Sequence, residues 1–228
     1  MELLVICPSR GRPERLRGMV QSFKETASEG TELVVYVSED DPKMLWYREI
    51  EGIDLRVGGR LSLVGVLNRF STEVYPGVKY YGEVNDDHVY RTKGWDRVLI
   101  GNIEKGGGWG IACGNDTVPK DWYECRHPSA CVISGNIVRT LGCFVDPRFQ
   151  HMYVDDYLRD IGESIGGLFY DPEVVVEHRH FLNGKAEKDD NYRWIYSEEQ
   201  VEFGLAAYNH WVKHSRPDDI VKLKKAMC

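Results

Sequence analysis

Apolar residues along the chain alternate between short continuous runs and stretches with helical spacing. The first run, Leu3–Cys7, stops at Pro8 and predicts a buried strand. Residues 13–23 follow with apolar side chains on one helical face, which predicts a helix. A second run at Leu33–Val37 and a second helical stretch at Leu63–Phe70 repeat this order. The pattern predicts an α/β fold with a mostly parallel sheet flanked by helices.

The third apolar run, Val78–Val84, ends in the polar string Asn85–His88. Loops at the carboxyl ends of strands converge in open α/β sheets, and ligands bind there. The string is therefore a candidate site. Further strands are predicted at Trp109–Cys113, Ala130–Ser134 and Val174–Val176, and further helices at Trp95–Ile103, Val154–Ile161 and Glu198–Lys213.

Composition narrows the class of protein. The 228 residues are 42% hydrophobic and 29% charged, as in a soluble globular protein, and the length suits one large α/β domain. The formal charge of -7 argues against a surface built to bind nucleic-acid phosphates. We expect no membrane span, because no stretch approaches the roughly 20 apolar residues it needs. Six cysteines without a C-x-x-C pair suggest free thiols, and with no signal peptide we expect a cytoplasmic protein.

The string Asn85–His88 combines oxygen ligands and an imidazole within one turn. Asp86 and Asp87 supply carboxylates, which suit Mn²⁺ or Mg²⁺ bound to a diphosphate. The alternative is a turn in which these side chains bond to their own backbone.

His178 and His180 follow the last predicted strand, two residues apart. If the strand continues, both side chains point to one face, and one of them can complete a metal site. The alternative is a hydrogen-bonded structural histidine at the sheet edge.

Asp155 and Asp156 open the helix predicted at Val154–Ile161. Carboxylates stabilise the first turn of any helix, which is the structural interpretation. In the functional interpretation, one of them is a general base that takes a proton from an acceptor hydroxyl.

The loop at residues 8–13 joins the first strand to the first helix and carries Arg10 and Arg12. These cations can lie beside a nucleotide whose phosphates face backbone donors, or they can be solvated. Asp40 or Asp41, after the second strand, can accept a hydrogen bond from uracil or ribose, or can form a turn.

The order of these elements resembles the family 2 type of glycosyltransferases, within the larger glycosyltransferase A fold, over roughly residues 1–180. Residues 8–13 resemble the family's Pro-x-Arg-like loop. Asn85–Asp87 resembles its D-x-D metal motif, with Asn in place of the first Asp. Val154–Asp156 resembles its acceptor-side x-Glu-Asp motif.

The resemblance implies a role for each matched residue. Asp87 and His178 become the expected metal ligands, with His180 as the second choice of histidine. Asp156 becomes the expected catalytic base, with Asp155 beside it. The residues expected around the nucleotide are Pro8, Arg10, Arg12, Asp40, Asn68 and Asp86.

The resemblance also implies a reaction. We expect a metal-dependent hexosyl- or pentosyltransferase that uses a nucleoside diphosphate-sugar, with a UDP-sugar first, and inverts the anomeric carbon. One domain would contain a donor half at about residues 1–100, an acceptor half at about 101–182, and a C-terminal polar segment and helix at 183–228. The polar residues 183–191 can form a lid over the donor.

Other functions share parts of this pattern. A sugar-1-phosphate nucleotidylyltransferase has the same plan, but no glycine-rich, Lys-bearing loop opens this sequence. A noncatalytic sugar- or nucleotide-binding module would keep the pocket without a base. The acceptor is open among a saccharide, a protein, a small molecule and a modified base in viral DNA. The DNA acceptor would need a basic track from Arg56, Arg60, Lys93, Arg97, Arg126 and Arg139.

Overall fold

The computed structural model describes residues 1–118 and 127–228. In this part of the chain, one eight-stranded sheet has the order β3-β2-β1-β4-β7-β6-β8-β5. The strands are β1 Leu3–Ser9, β2 Thr31–Ser38, β3 Asp54–Gly58, β4 Tyr80–Glu83, β5 His88–Tyr90, β6 Ile111–Asn115, β7 Val132–Ser134 and β8 Leu168–His178.

Helices cover both faces of the sheet. They are α1 Pro13–Thr26, α2 Met44–Arg48, α3 Leu63–Asn68, α4 Trp95–Lys105, α5 Gly135–Leu141, α6 Val154–Ser164, α7 Asp190–Ile195, α8 Glu198–His214 and α9 Arg216–Met227. A π-helical turn, Arg69–Val74, continues α3. The expected α/β class, with a mostly parallel sheet between helices, is confirmed.

The sheet has a parallel part and a mixed part. Strands β3, β2, β1 and β4 run parallel, so their carboxyl ends meet at one edge. Strand β7 is antiparallel to both β4 and β6, and β8 is parallel to β6. The short strand β5 pairs antiparallel with β8, and this register sets His88 opposite His178.

The core lies in two layers, one on each face of the sheet. In β1, Leu4 and Ile6 contact the layer formed by α3, α5, α6, α8 and α9. Leu3, Val5 and Cys7 contact the layer that includes α1 and α4. All five side chains are at most 2% exposed. A continuous apolar run suits a strand that is covered on both faces, which is why this element is predicted correctly.

Several elements differ from the sequence expectation. Strand β8 begins at Leu168, before the predicted Val174, and a register shift at its partner strand accommodates the polar middle. The short elements α2, β3, β5, α5 and α7 are not predicted, because each has too few residues to show a period. Helix α9 is not predicted either, although Ile220, Leu223 and Met227 have helical spacing.

No helix in the described residues is long and apolar enough to cross a membrane. The cysteines in the same part of the chain are free thiols: Cys7, Cys113, Cys131, Cys143 and Cys228. Cys125 lies outside the described residues.

Candidate functional site

A cavity of about 660 Å³ opens where β1, β2 and β4 end. Its volume is in the range of small-molecule sites. The loop after β1, the string after β4, the first turn of α6, the end of β8 and helix α7 all contribute to its lining. Among the predicted site residues, those that line it are Pro8, Arg10, Arg12, Asp86, Asp87, Asp155, Asp156, His178 and His180.

Asp87 is buried, with 5% of its surface exposed. Its Oδ2 accepts a hydrogen bond from the Tyr192 hydroxyl at 2.5 Å. Its Oδ1 is buried without a hydrogen-bond partner. The nearest basic atoms to that oxygen are His178 Nε2 at 3.4 Å and His88 Nδ1 at 3.5 Å. A buried carboxylate oxygen without a donor is costly, so this atom marks a place for a cation.

The β5–β8 register brings two histidines to this carboxylate. The rings of His88 and His178 stack with centroids 4.2 Å apart. His88 is fully buried, its Nδ1 accepts from the backbone N–H of Asn85, and its Nε2 lies 3.0 Å from Ser129 Oγ. Burial lowers the pKa of His88 to about 3, so it is neutral. Because both of its ring nitrogens are already engaged, His88 is a supporting residue.

Asp87 and His178 are the pair left to hold a metal. Burial lowers the pKa of His178, but the charge of Asp87 outweighs it and the net shift is upward. The pKa of Asp87 is shifted down in turn, because His178 outweighs the effect of burial. Asp87, His88 and His178 offer ligand atoms within 4.8 Å of one another. One carboxylate oxygen and one imidazole nitrogen fit Mn²⁺ better than Mg²⁺, which prefers oxygen.

Asp86 faces away from the histidines and holds the loop after β1. Ser9 Oγ donates to it at 2.6 Å, and Arg12 Nη1 donates at 3.3 Å. Burial raises the pKa of Asp86 to about 6, against the opposing charge of Arg12. Asp86 therefore anchors the loop after β1.

Arg12 is the last residue before α1, where Pro13 starts the helix. Its guanidinium is buried and donates twice to Asp189, at 2.6 and 2.7 Å. It also lies 4.1 Å from the ring centroid of Tyr192. Asp189 belongs to the polar segment predicted as a lid, so that segment is tied to the loop in this structure.

Arg10 and Asp40 form an ion pair at 2.7 Å. Arg10 lines the cavity, whereas Asp40 lies outside its lining with half of its side chain exposed. Asp41 is buried and accepts from the backbone N–H groups of Gly11 and Lys43. Of the two aspartates left open by the sequence, Asp41 forms the turn and Asp40 faces the loop.

Asn68 does not line the cavity, in contrast to the position that the family resemblance implies. Its Nδ2 donates to the carbonyl of Val145, and its Oδ1 accepts from the N–H groups of Phe144 and Val145. The amide is engaged in joining the end of α3 to residues 144–145, so the structure gives Asn68 a structural role.

Asp155 and Asp156 occupy the first turn of α6, after Tyr153 turns the chain with φ 66°. Asp155 Oδ2 lies 3.1 Å from His127 Nε2, and Asp156 Oδ1 lies 2.8 Å from Arg159 Nη2. Burial raises the pKa of Asp155, but His127 outweighs it and the net shift is downward. Both carboxylates line the cavity beside the metal pair.

Sequence reasoning missed Glu83, His127 and Tyr192 as cavity residues. Glu83 is the last residue of β4, is 3% exposed, and accepts from the Ala130 N–H at 3.0 Å. Burial and then the charge of Asp155 raise its pKa to about 8. Glu83 lies two residues before Asn85, and alternate strand residues share a face, so the sequence could have indicated that Glu83 lines the cavity. Nothing in the sequence around Tyr192 indicates that it lines the cavity.

His180 does not join the metal pair. Its Nδ1 accepts from the Leu182 N–H, and its Nε2 lies 3.2 Å from the Tyr196 hydroxyl. The choice left open between the two histidines therefore favours His178.

Three residues of the basic track considered for DNA are engaged in local contacts. Arg56 pairs with Asp54, Arg97 pairs with Glu2, and Arg139 donates to the carbonyl of Val78. Arg126 lies outside the described residues.

No protein-family model matches the sequence, and no curated protein is detectably similar to it. Solved structures do resemble the fold. S. aureus TarS superimposes with a TM-score of 0.57 at 10% identity, over 96% of this chain and 45% of TarS. This chain thus spans less than half of that structure.

Two further structures cover more of the matched protein. The mannosyltransferase PcManGT from Pyrobaculum calidifontis, in complex with GDP-Man and Mn²⁺, gives a TM-score of 0.54 at 12% identity, over 99% of this chain and 73% of PcManGT. TarS 1-349 in complex with UDP gives 0.52 at 11% identity, over 95% and 73%. Identities this low bear on the fold alone. The chain has the α/β fold of the glycosyltransferase A type.

Proposed function

We propose that this protein is a metal-dependent glycosyltransferase that moves a hexosyl or pentosyl group from a nucleoside diphosphate-sugar to an acceptor hydroxyl. The observation that carries the proposal is Oδ1 of Asp87, which is buried without a hydrogen-bond donor, 3.4 Å from His178 Nε2, in the strand-end cavity. Support also comes from the fold, which is shared with a mannosyltransferase solved with GDP-Man and Mn²⁺ and with TarS solved with UDP.

The donor-side residues would bind and orient the nucleotide. Asp87 and His178 would hold Mn²⁺ or Mg²⁺, which when bound neutralises charge on the leaving diphosphate. Pro8 and Arg10 line the cavity on the loop after β1, where they would contact the nucleotide, with Asp40 fixing Arg10. A UDP-sugar is the first donor to test.

The acceptor-side residues would manage the proton. Asp156 would accept the proton of the acceptor hydroxyl as that oxygen bonds to the anomeric carbon and the bond from this carbon to the diphosphate oxygen breaks. Attack from the face opposite the leaving group inverts the configuration. Asp155, held by His127, is the second candidate for the base.

Isothermal titration calorimetry tests the donor half of this proposal. Wild-type protein should bind UDP or GDP more tightly with Mn²⁺ present. Asp87→Asn should weaken that metal-dependent binding by at least about 100-fold, since loss of a mere supporting contact to a ligand costs 10–100-fold. Asp218→Asn, an exposed change in the first turn of α9, is the matched control and should bind as wild type does. Equal binding with and without metal would refute the metal-dependent site.

Product analysis tests the catalytic half. Asp156→Asn should retain donor binding and lose transfer, whereas Asp155→Asn should retain measurable transfer. The reverse pattern would assign the base to Asp155. Metal-dependent donor binding without release of nucleoside diphosphate in any acceptor mixture would identify a noncatalytic module of the same fold.

A further inference from the structure

We infer that Glu83 recognises a hydroxyl of the glycosyl group carried by the donor. The inference rests on the proposed function and deepens it, because it assigns a residue to the sugar itself. Glu83 is the last residue of β4, and its carboxyl group lines the cavity although only 3% of the residue is exposed.

The carboxyl group is held on one side only. Oε1 accepts from the Ala130 N–H at 3.0 Å, and the Glu83 N–H donates to the carbonyl of Cys131 at 3.1 Å. The described residues give Oε2 no hydrogen-bond partner, and Oε2 is not among the fully buried atoms that lack one. Because Glu83 lines the cavity, this oxygen is available to a ligand there.

Glu83 shares the cavity lining with both groups of residues that the reaction needs: Asp155 and Asp156 on the acceptor side, and Asp87 and His178 on the donor side. The charges of Asp155, His178 and Asp87 also perturb its pKa. The glycosyl group must sit between the leaving diphosphate and the attacking hydroxyl, because its anomeric carbon exchanges one for the other. A carboxyl group close to both sides can reach the sugar.

The state of the carboxyl group suits a hydroxyl. Burial keeps Glu83 protonated at neutral pH, since its pKa is raised to about 8. A carboxylic acid can donate one hydrogen bond and accept others, which matches a sugar hydroxyl that does both. The same protonation makes Glu83 unsuitable as the base, so it does not compete with Asp156 for that role.

Calorimetry with UDP, UDP-glucose, UDP-galactose and GDP-mannose, each with Mn²⁺, tests this assignment. Glu83→Met keeps most of the side-chain volume and removes both oxygens. We expect its affinity for the nucleoside diphosphate to stay within about twofold of wild type, and its affinity for the preferred nucleotide-sugar to fall about tenfold. Glu83→Gln can still donate and accept, and should stay within about threefold for both ligands.

The controls distinguish failure of the role assigned to Glu83 from failure of the proposed function. Glu104→Gln, on α4 outside the cavity, should match wild type for every ligand. If Glu83→Met does not fold, Glu83→Asp keeps the acid but withdraws it by one methylene, and the same tenfold loss confined to nucleotide-sugars is expected. Equal losses for nucleotide and nucleotide-sugar, or none, would overturn the role of Glu83. Failure of wild type to bind any of these ligands would instead overturn the proposed function.

Discussion

Asn68→Ala separates a structural role from a nucleotide-binding role at one residue. The family resemblance places Asn68 beside the nucleoside, whereas the structure uses its amide to join α3 to residues 144–145. The variant removes one acceptor, Oδ1, that serves the N–H groups of Phe144 and Val145, and one donor, Nδ2, that serves the Val145 carbonyl. We therefore expect lower stability and unchanged nucleotide affinity.

The magnitude follows from the three hydrogen bonds. Each is worth about 1 kcal/mol net, so their loss should lower the free energy of unfolding by about 3 kcal/mol. Phe144 and Val145 are fully buried, which limits the access of water to the freed N–H groups. For a chain of 228 residues, 1 kcal/mol corresponds to about 2–4 °C in Tm, so the drop should be about 6–12 °C.

Thermal and urea unfolding measure the stability, and calorimetry with the nucleotide bound by wild type measures the affinity. Asn102→Ala is the matched control, because its side chain makes one hydrogen bond, to Asp171, and should cost about 1 kcal/mol. A variant at Asn68 with wild-type stability and a nucleotide affinity reduced tenfold or more would refute the structural assignment and restore the role implied by the resemblance.

Two further predictions concern stability away from the cavity. Trp211→Ala should lower the free energy of unfolding by about 3–5 kcal/mol in urea, because the side chain is fully buried and packs 4.6 Å from the Tyr157 ring centroid; a loss below about 1 kcal/mol would contradict the docking of α8. Burial raises the pKa of Asp146, but Arg148 outweighs burial and the net shift is downward. The ionised carboxylate therefore stabilises the fold at pH values above its ordinary pKa. This stabilisation is lost as the pH falls through the lower pKa of the folded state. Asp146→Asn should therefore cost about 1 kcal/mol at pH 7, and this gap in urea unfolding should begin to narrow only as pH falls below the ordinary carboxyl pKa of about 4; a gap that stays constant with pH would contradict the ion pair.

The parts of the fold that the sequence predicts well are those determined by local pattern. The buried run of β1 is covered on both faces, and the helical spacing after Pro13 gives α1. Their order predicts which strands end at the same edge, and hence the position of Asp86 and Asp87 at the cavity. The short strand β5 escapes prediction because three residues cannot show an alternation.

The parts that the sequence misses depend on contacts between distant residues. Tyr192 donates to Asp87 across 105 positions, and no local pattern around Tyr192 indicates that partner. The pairing of β5 with β8 also joins residues far apart in sequence, and it sets His88 opposite His178. At Asn68 the local pattern suggests a nucleotide contact, but its side chain instead donates to the distant carbonyl of Val145.

Arg12 is a loop residue whose expected role depends on a distant partner, Asp189. Its place in the loop after β1 makes it a natural phosphate-binding cation, but Asp189 already neutralises it from the segment before α7. An anion that binds Arg12 must share or displace Asp189. Asn191 donates to the backbone carbonyl of Arg10, so the loop and the segment are joined at a second point. If the proposed donor binds at this loop, its binding would therefore be coupled to the position of the C-terminal segment through Arg10 and Arg12.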